Sequence, residues 1–444
     1  MRSLYNILFA IFFCLSAPYY FLKMWRRGDW RRGFRQRFGR FDAGFKQALT
    51  NRHVLWMHAV SVGEVNVCTQ LIRALEPRVP NIKIVVSTTT STGMGELQRK
   101  LPSRIEKIYY PIDYRKCVYR ALSVIHPEAV VLVEAEIWPN FIWRLRDKQI
   151  PLLLVNARLS ERSRRGYRRF GFLFRPLFAS FTAVGAQNEA DAARLREIGC
   201  RPGAIQVVGS LKFDAARLDE RRLLDVPLLL RQVGVPEEAP LLVAGSTHAG
   251  EETVLAEQLP RLRRRFPDLF LVLVPRHSER CREVGRELSD RGIKFVFRNE
   301  IMSHTQFRAG ELQCLLVNTT GELKYFYEQA TLVFIGKSIT AQGGQNPIEP
   351  AALGKAMVFG PNMQNFVEVV RSFLERNGAV QVRDALELEK VVGELLADAA
   401  RREHLGRNAL KVVQENLGPI ERTADMIVRH LDAGGLYVAP GAEA

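Results

Sequence analysis

The chain has 444 residues, 47% of them hydrophobic and 25% charged, with a net charge of +17. That length exceeds one ordinary core and implies two domains, while the balance excludes a disordered chain and no repeat period stands out. Cys14, Cys68, Cys117, Cys200, Cys281 and Cys314 are scattered singly, which excludes a disulfide scaffold or zinc module and suits a reducing compartment.

Residues 4–22 carry no charged side chain and are rich in Leu, Ile and Phe. A stretch of that length can cross a bilayer as a helix. Tyr19, Tyr20 and Trp25 suit the interface, and Lys23, Arg26, Arg27, Arg31, Arg32, Arg35, Arg37 and Arg40 follow against Asp29 alone. Positive charge after the apolar stretch keeps that side cytoplasmic and attracts anionic lipid. A cleaved signal peptide would carry its charge first and small residues last. The reading is therefore an uncleaved anchor over residues 1–24, with Asn6 and Pro18 weakening the span so that lying in one leaflet is also open.

After residue 50, short Val/Ile/Leu runs alternate with amphipathic stretches, as buried parallel strands alternate with helices. Strands are predicted at 53–60, 83–87, 105–110, 129–133, 152–155, 182–185 and 205–208, with helices such as 64–75 and 189–198 between them. A charged, Pro-containing passage at 214–240 reads as a hinge. Strands resume at 241–244, 270–274, 294–297, 313–317, 332–335 and 357–359, and the tail from 386 is helical. Two such arrays imply an α/β chain with two Rossmann-like domains, 25–218 and 219–444, whose ligands bind beyond the C-terminal strand ends.

Those strand ends hold the unusual chemistry. Ser61-Val62-Gly63-Glu64 follows the first strand. Glu64 falls in the first turn of a helix, where the dipole favours a carboxylate able to act as general base; a plain helix-start acid reads the same way. Ala59-Val60-Ser61-Val62-Gly63 nearly forms a nucleophile elbow, which keeps a serine hydrolase with Ser61 open. Glu134-Ala135-Glu136 follows the fourth strand, its acids two apart and so predicted to share a face, with Pro139 suited to the next helix start. Asn156-Ala157-Arg158 leads into a second basic cluster, Arg158 to Arg175, interleaved with Tyr167, Phe170, Phe172, Phe174 and Phe178; this fits a membrane surface or an ordinary core stripe. Lys212, at the domain junction, can neutralise an anionic substrate.

In the second half, residues 245–248 can cradle an anion through backbone N–H groups, and Arg276 can bind a phosphate or carboxylate bidentately. Thr320-Gly321-Glu322 sits at a helix start. Gly336-Lys337-Ser338 lacks the first glycine of a P-loop, Thr331 standing there, so an ATP reading falls. Gly343-Gly344-Gln345-Asn346-Pro347-Ile348-Glu349 enters a helix, with glycines that let the backbone approach a ligand and Glu349 placed for ribose hydroxyls. Repeated in both halves, these features predict a nucleotide site in an inter-domain cleft. A non-catalytic lipid-binding scaffold would explain the anchor and arginines but not this polar set.

The segments SVGE (61–64), EAEIWPN (134–140), NARLS (156–160), GSLKFD (209–214), STHAGEE (246–252), PRH (275–277), GEL (321–323) and GGQNPIEP (343–350) together resemble the Kdo (3-deoxy-D-manno-octulosonic acid) transferases of Gram-negative lipopolysaccharide synthesis, glycosyltransferase family 30. The resemblance covers nearly the whole chain. It implies the GT-B fold, two Rossmann-like domains facing a cleft, and an inverting transfer of Kdo from CMP-Kdo onto a hydroxyl of a lipid A precursor (lipid IVA). By motif position, Glu64 would be the general base and Glu134 and Lys212 would stabilise the transition state. Pro275, Arg276, Thr320, Gly321, Glu322, Asn346, Pro347, Ile348 and Glu349 would hold CMP. No cofactor, catalytic metal or nucleic-acid partner is implied, and the anchor would place the enzyme on the cytoplasmic face of the inner membrane among anionic lipids. The chain departs from the family pattern at Lys337 and Gln345, which stay outside the catalytic assignment. A GT-B transferase using another nucleotide sugar fits the same residues.

Overall fold

The computed structural model describes residues 2–26, 31, 33–134, 136–214 and 224–431. The chain divides into two compact units, one of residues 1–215 with 418–444 and one of residues 216–417.

The first unit carries a seven-stranded parallel sheet built from β1 (His53–His58), β2 (Ile82–Thr88), β3 (Glu106–Tyr109), β4 (Ala129–Val133), β5 (Leu152–Ala157), β6 (Ala183–Ala186) and β7 (Ile205–Val207), in the order 3-2-1-4-5-6-7. Its central strands are apolar on both faces because helices cover both; every residue of β4 and β5 is buried. Two separate apolar clusters lie on the two faces. The strand order reverses between β1 and β4, the switch point where such sheets bind ligands.

The second unit repeats the plan. β8 (Leu241–Thr247), β9 (Phe270–Pro275), β10 (Phe295–Phe297), β11 (Cys314–Leu316), β12 (Leu332–Ile335), β13 (Met357–Phe359) and β14 (Val380–Gln381) form a parallel sheet in the order 10-11-9-8-12-13-14. The switch point lies between β8 and β12.

The predicted strands are all present, with the two-residue β14 added at the edge. The hinge passage 214–240 contains the helix Val226–Gln232, capped by Asp225, and the predicted boundary at 218/219 lies outside the described residues. The second domain does not run to the C-terminus as predicted. The helix Pro419–Val428 packs on the first unit, burying Ile420, Ala424, Met426 and Ile427 against its core. Asp214 fixes the return, accepting hydrogen bonds from the backbone N–H of Gly418 (2.8 Å) and Ile420 (2.6 Å). An amphipathic pattern specifies that one face is buried but not which sheet buries it.

Residues Arg2–Arg26 form one helix. Among the described residues, no helix is long and apolar enough to cross a membrane. Its N-terminal turns dock on the first unit: Arg2 pairs with Asp147 (2.7 Å), the Tyr5 hydroxyl donates to Asp113 (2.8 Å), and Asn140 Nδ2 donates to Asn6 Oδ1 (2.9 Å). Asn6, read as a weakness in a span, is thus a docking residue. Leu4, Ile7, Leu8, Ile11, Phe12, Leu15, Tyr19, Leu22 and Trp25 remain exposed. Of the following basic residues, Arg37 serves the fold: it stacks on Tyr109 and donates to the Thr89 carbonyl (3.0 Å).

The second basic cluster splits between its two readings. Tyr167 packs edge-on against Phe174 and Phe178, an ordinary core role. Phe170 and Phe172 are exposed. Arg164 and Arg168 pair with Glu197. Among the cysteines, none is paired; Cys14 is exposed and the other five are buried.

Candidate active site

The first group of polar residues gathers at the C-terminal ends of β1, β4 and β5. Ser61 caps the helix Val62–Leu75, its hydroxyl accepting from the Glu64 N–H (3.2 Å). The Glu64 carboxylate reaches back to the N–H groups of Val60 (2.8 Å) and Ser61 (3.3 Å), completing a capping box. Glu64 is therefore a helix-start acid, and it is also more than that. Burial pushes its carboxyl above the usual range, the two N–H groups and the Ser61 hydroxyl oppose this, and the nearby Glu136 charge adds to it.

β4 ends at Val133, and the chain turns at once. Glu134 has left-handed backbone (φ +62°), and the Glu136 N–H closes a turn on the Glu134 carbonyl (3.0 Å). The strand alternation predicted for the two acids does not apply, because neither lies in a strand. Burial raises the Glu134 carboxyl; Lys212 and Arg158 oppose that shift while Glu64 reinforces it. Glu136 is likewise raised by burial, against the hydrogen bond from Trp138 Nε1 (2.9 Å). Lys212 is pulled down by burial and held up by Glu134 and Glu64. Glu64, Glu134 and Lys212, chosen from motifs seventy or more positions apart, thus lie within reach of one another's fields. Pro139 occupies the helix start as predicted.

One organising residue was not assigned from sequence. Asn156 is fully buried, with φ +53°, at an irregularity in the β5–β6 register. Its Nδ2 approaches Glu134 Oε1 (3.4 Å), and its Oδ1 accepts from Gln187 Nε2 (3.0 Å) and the Leu211 N–H (3.3 Å). One amide therefore ties the Glu134 turn to the segment bearing Lys212. A polar residue closing the all-apolar run 152–155 was the signal available.

Among the described residues Ser61 lacks the histidine partner of a hydrolase nucleophile. Its hydroxyl serves the helix cap, and the nearest histidine in sequence, His58, is buried with its Nδ1 against Ser87 and its pKa lowered by burial to about 3.

In the second unit the anion cradle after β8 exists but is filled from within. Glu251, in the first turn of the helix Glu251–Arg265 and 1% exposed, accepts from the N–H groups of His248 (2.9 Å), Lys337 (2.7 Å), Ser338 (2.7 Å) and Ile339 (3.0 Å). Its neighbour Glu252 accepts from the Thr247 hydroxyl and from Arg280 Nη1, both at 3.0 Å. Neither acid was singled out from sequence, although both stand in the STHAGEE segment.

The CMP-site residues implied by the motifs lie at the same end of the sheet. Pro275 closes β9, and Arg276 beyond it is exposed. Thr320 and Gly321 (φ +86°) precede Glu322, which begins the helix Leu323–Gln329, accepts from the Thr319 hydroxyl (2.7 Å) and pairs with Arg298 (3.1 Å). Asn346 Nδ2 donates to Glu349 (3.0 Å) and its Oδ1 accepts from the Ile348 N–H (3.1 Å), so Asn346, Pro347, Ile348 and Glu349 form one locked helix entry. Gly343 and Gly344 serve the protein's own packing. At Gly344 (φ +72°) a Cβ would lie 2.5 Å from Met363 Sδ.

Residues 32–215 match the family described as 3-deoxy-D-manno-octulosonic-acid transferase (kdotransferase). The chain is 31% identical over 424 residues to the 3-deoxy-D-manno-octulosonic acid transferase of Bordetella pertussis, covering 93% of this chain and 96% of that one. It is 30% identical over 381 residues to the same-named protein of Haemophilus influenzae, covering 85% and 87%. A glycosyltransferase structure from Rickettsia africae shares the fold at a TM-score of 0.53 and 14% identity, covering 86% of this chain and all of that one. By its likeness to the Bordetella and Haemophilus proteins along most of all three chains, this protein belongs to the 3-deoxy-D-manno-octulosonic acid transferase family.

Proposed function

We propose that the protein transfers Kdo from CMP-Kdo, with inversion, to a hydroxyl of a lipid A precursor such as lipid IVA, in lipopolysaccharide core synthesis. The observation that carries this reading is the convergence of Glu64, Glu134 and Lys212 at the switch point of the first sheet, in a chain of this family. Glu64 takes the proton from the acceptor hydroxyl. That oxygen bonds to the anomeric carbon of Kdo as the bond from that carbon to the CMP phosphate oxygen breaks, and CMP leaves with the electron pair. Burial lifts the Glu64 carboxyl toward working pH, which strengthens it as a base, while the Val60 and Ser61 N–H groups keep its anion available. The Lys212 ammonium, with the Glu134 carboxylate beside it, offsets charge that develops during transfer.

In this reading the first unit binds the acceptor and the second binds CMP-Kdo, in the GT-B manner. Arg276, Thr320, Gly321 and Glu322, together with the Pro275 strand end and the locked entry from Asn346 to Glu349, hold the nucleotide. The exposed apolar residues of the helix Arg2–Arg26 rest in the cytoplasmic leaflet of the inner membrane, beside anionic lipids. Incubation with acceptor and each of CMP-Kdo, UDP-sugars and GDP-sugars tests the donor. CMP release with CMP-Kdo alone is expected; turnover of only a UDP- or GDP-sugar overturns the assignment.

A further inference from the structure

Beyond the nucleotide residues, the second sheet delivers a small group that the motifs leave without a role. Three strands adjacent in the sheet, β9, β8 and β12, lead one or two residues beyond their ends to His277, His248 and Lys337. The His248 and His277 rings meet edge-on with centroids 5.7 Å apart. The His248 pKa is lowered by burial and further by the Lys337 charge, against the Ser246 carbonyl and the Glu251 carboxylate.

Lys337 is held firmly by its backbone. Its N–H donates to Glu251 (2.7 Å), and its carbonyl accepts from the Gly344 N–H (2.9 Å). Its side chain lies along the glycine loop, with Cε and Nζ each 3.4 Å from where a Cβ on Gly343 would stand. Among the described residues no carboxylate pairs with the ammonium. The backbone is left-handed there, φ +57°, which costs a non-glycine residue on the order of 1 kcal/mol or more. A long cationic side chain is thus carried, partly buried and without a counter-ion, at a position that glycine would occupy with less strain.

His248 offers a different group. Its Nδ1 lies 3.3 Å from the Ser246 carbonyl oxygen. A ring nitrogen facing a carbonyl must carry the proton, which leaves Nε2 of the neutral ring as an acceptor. Among the described residues nothing donates to it.

A cation beside a neutral acceptor suits a ligand that carries a carboxylate next to hydroxyl groups, which is the chemistry of a polyhydroxylated sugar acid. We propose that Lys337 and His248 form the subsite for the sugar half of the donor, the Lys337 ammonium pairing with its carboxylate and His248 Nε2 accepting from one of its hydroxyls. This rests on the donor reading above and adds to it a place for the transferred sugar, distinct from the residues assigned to the nucleotide.

The test uses the full-length protein and two constants, the KM for CMP-Kdo and the inhibition constant of CMP, which lacks the sugar. Lys337→Met keeps side-chain length and removes the charge; Lys337→Gly suits the backbone at φ +57° and serves as the variant least able to misfold. Both are expected to raise the KM for CMP-Kdo about tenfold, the size of one lost charge-assisted hydrogen bond, and to change the CMP constant by less than about twofold on the same scale. His248→Phe is expected to raise the same KM and spare CMP. An unchanged KM in both Lys337 variants overturns the inference, as does a parallel rise in the CMP constant, which would assign Lys337 to the phosphate. Failure of the donor reading shows separately, as a wild-type protein that turns over another nucleotide sugar and not CMP-Kdo.

Discussion

The two units share one architecture and use their strand-end carboxylates in opposite ways. In the second unit, Glu251, Glu252, Glu322 and Glu349 are each tied to named donors, four backbone N–H groups in the case of Glu251. In the first, Glu64, Glu134 and Glu136 are half-buried, each pushed up first by burial and further by one neighbouring carboxylate, against the hydrogen bonds that Glu64 and Glu136 accept. An acid satisfied by fixed donors holds a loop. An acid kept in an unfavourable field is available to take a proton, and the protein sacrifices some stability to keep it there.

The sharpest way to break this comparison is to convert the acids to amides one at a time. Glu64→Gln should lower kcat for CMP release about a thousandfold, within the range for a lost general base, and should leave the fold intact because glutamine also serves a capping box. Glu251→Gln should do the reverse. An amide can accept only at one oxygen, so the N–H groups of His248, Lys337, Ser338 and Ile339 cannot all be satisfied, and stability should fall by roughly 3 kcal/mol in denaturant unfolding.

Asn156→Ala should have an intermediate effect. Releasing Glu134 from the Lys212 segment is expected to cost about tenfold in kcat with little change in KM, and Asn156→Asp, which keeps the oxygen acceptor but adds a fourth negative charge, should not rescue it. The smallest effect has the opposite sign to most mutations. Because the Glu134 carboxyl is raised in the folded state, its contribution to stability is present below its unfolded value and is lost as pH rises through its folded one. Glu134→Gln should therefore stabilise the protein slightly at neutral pH, less whatever the loss of Lys212's partner costs, a gain that vanishes in acid.

Much of the fold was legible because a parallel strand buried on both faces reads as an unbroken apolar run, as in residues 129–133 and 152–155. The strand ends followed, and with them Glu64, Glu134 and Lys212. What stayed hidden depended on backbone handedness or on distant partners. The left-handed turns at Glu134 and Asn156 remove the alternation that sequence reasoning assumes. The four N–H groups that meet at Glu251 come from segments more than eighty residues apart, and nothing local marks them. The return of the last helix to the first unit rests on Asp214, which sequence places at the start of a hinge.

The pH dependence of kcat/KM for CMP release, measured in the wild type and in Glu64→Gln, tests the central claim that Glu64 is the base. The wild-type rate should rise with pH along an acid limb placed above the ordinary carboxylate range, since burial raises that group. The residual activity of Glu64→Gln should lack that limb; a limb that persists at the same pH in the variant would assign the proton transfer to another residue.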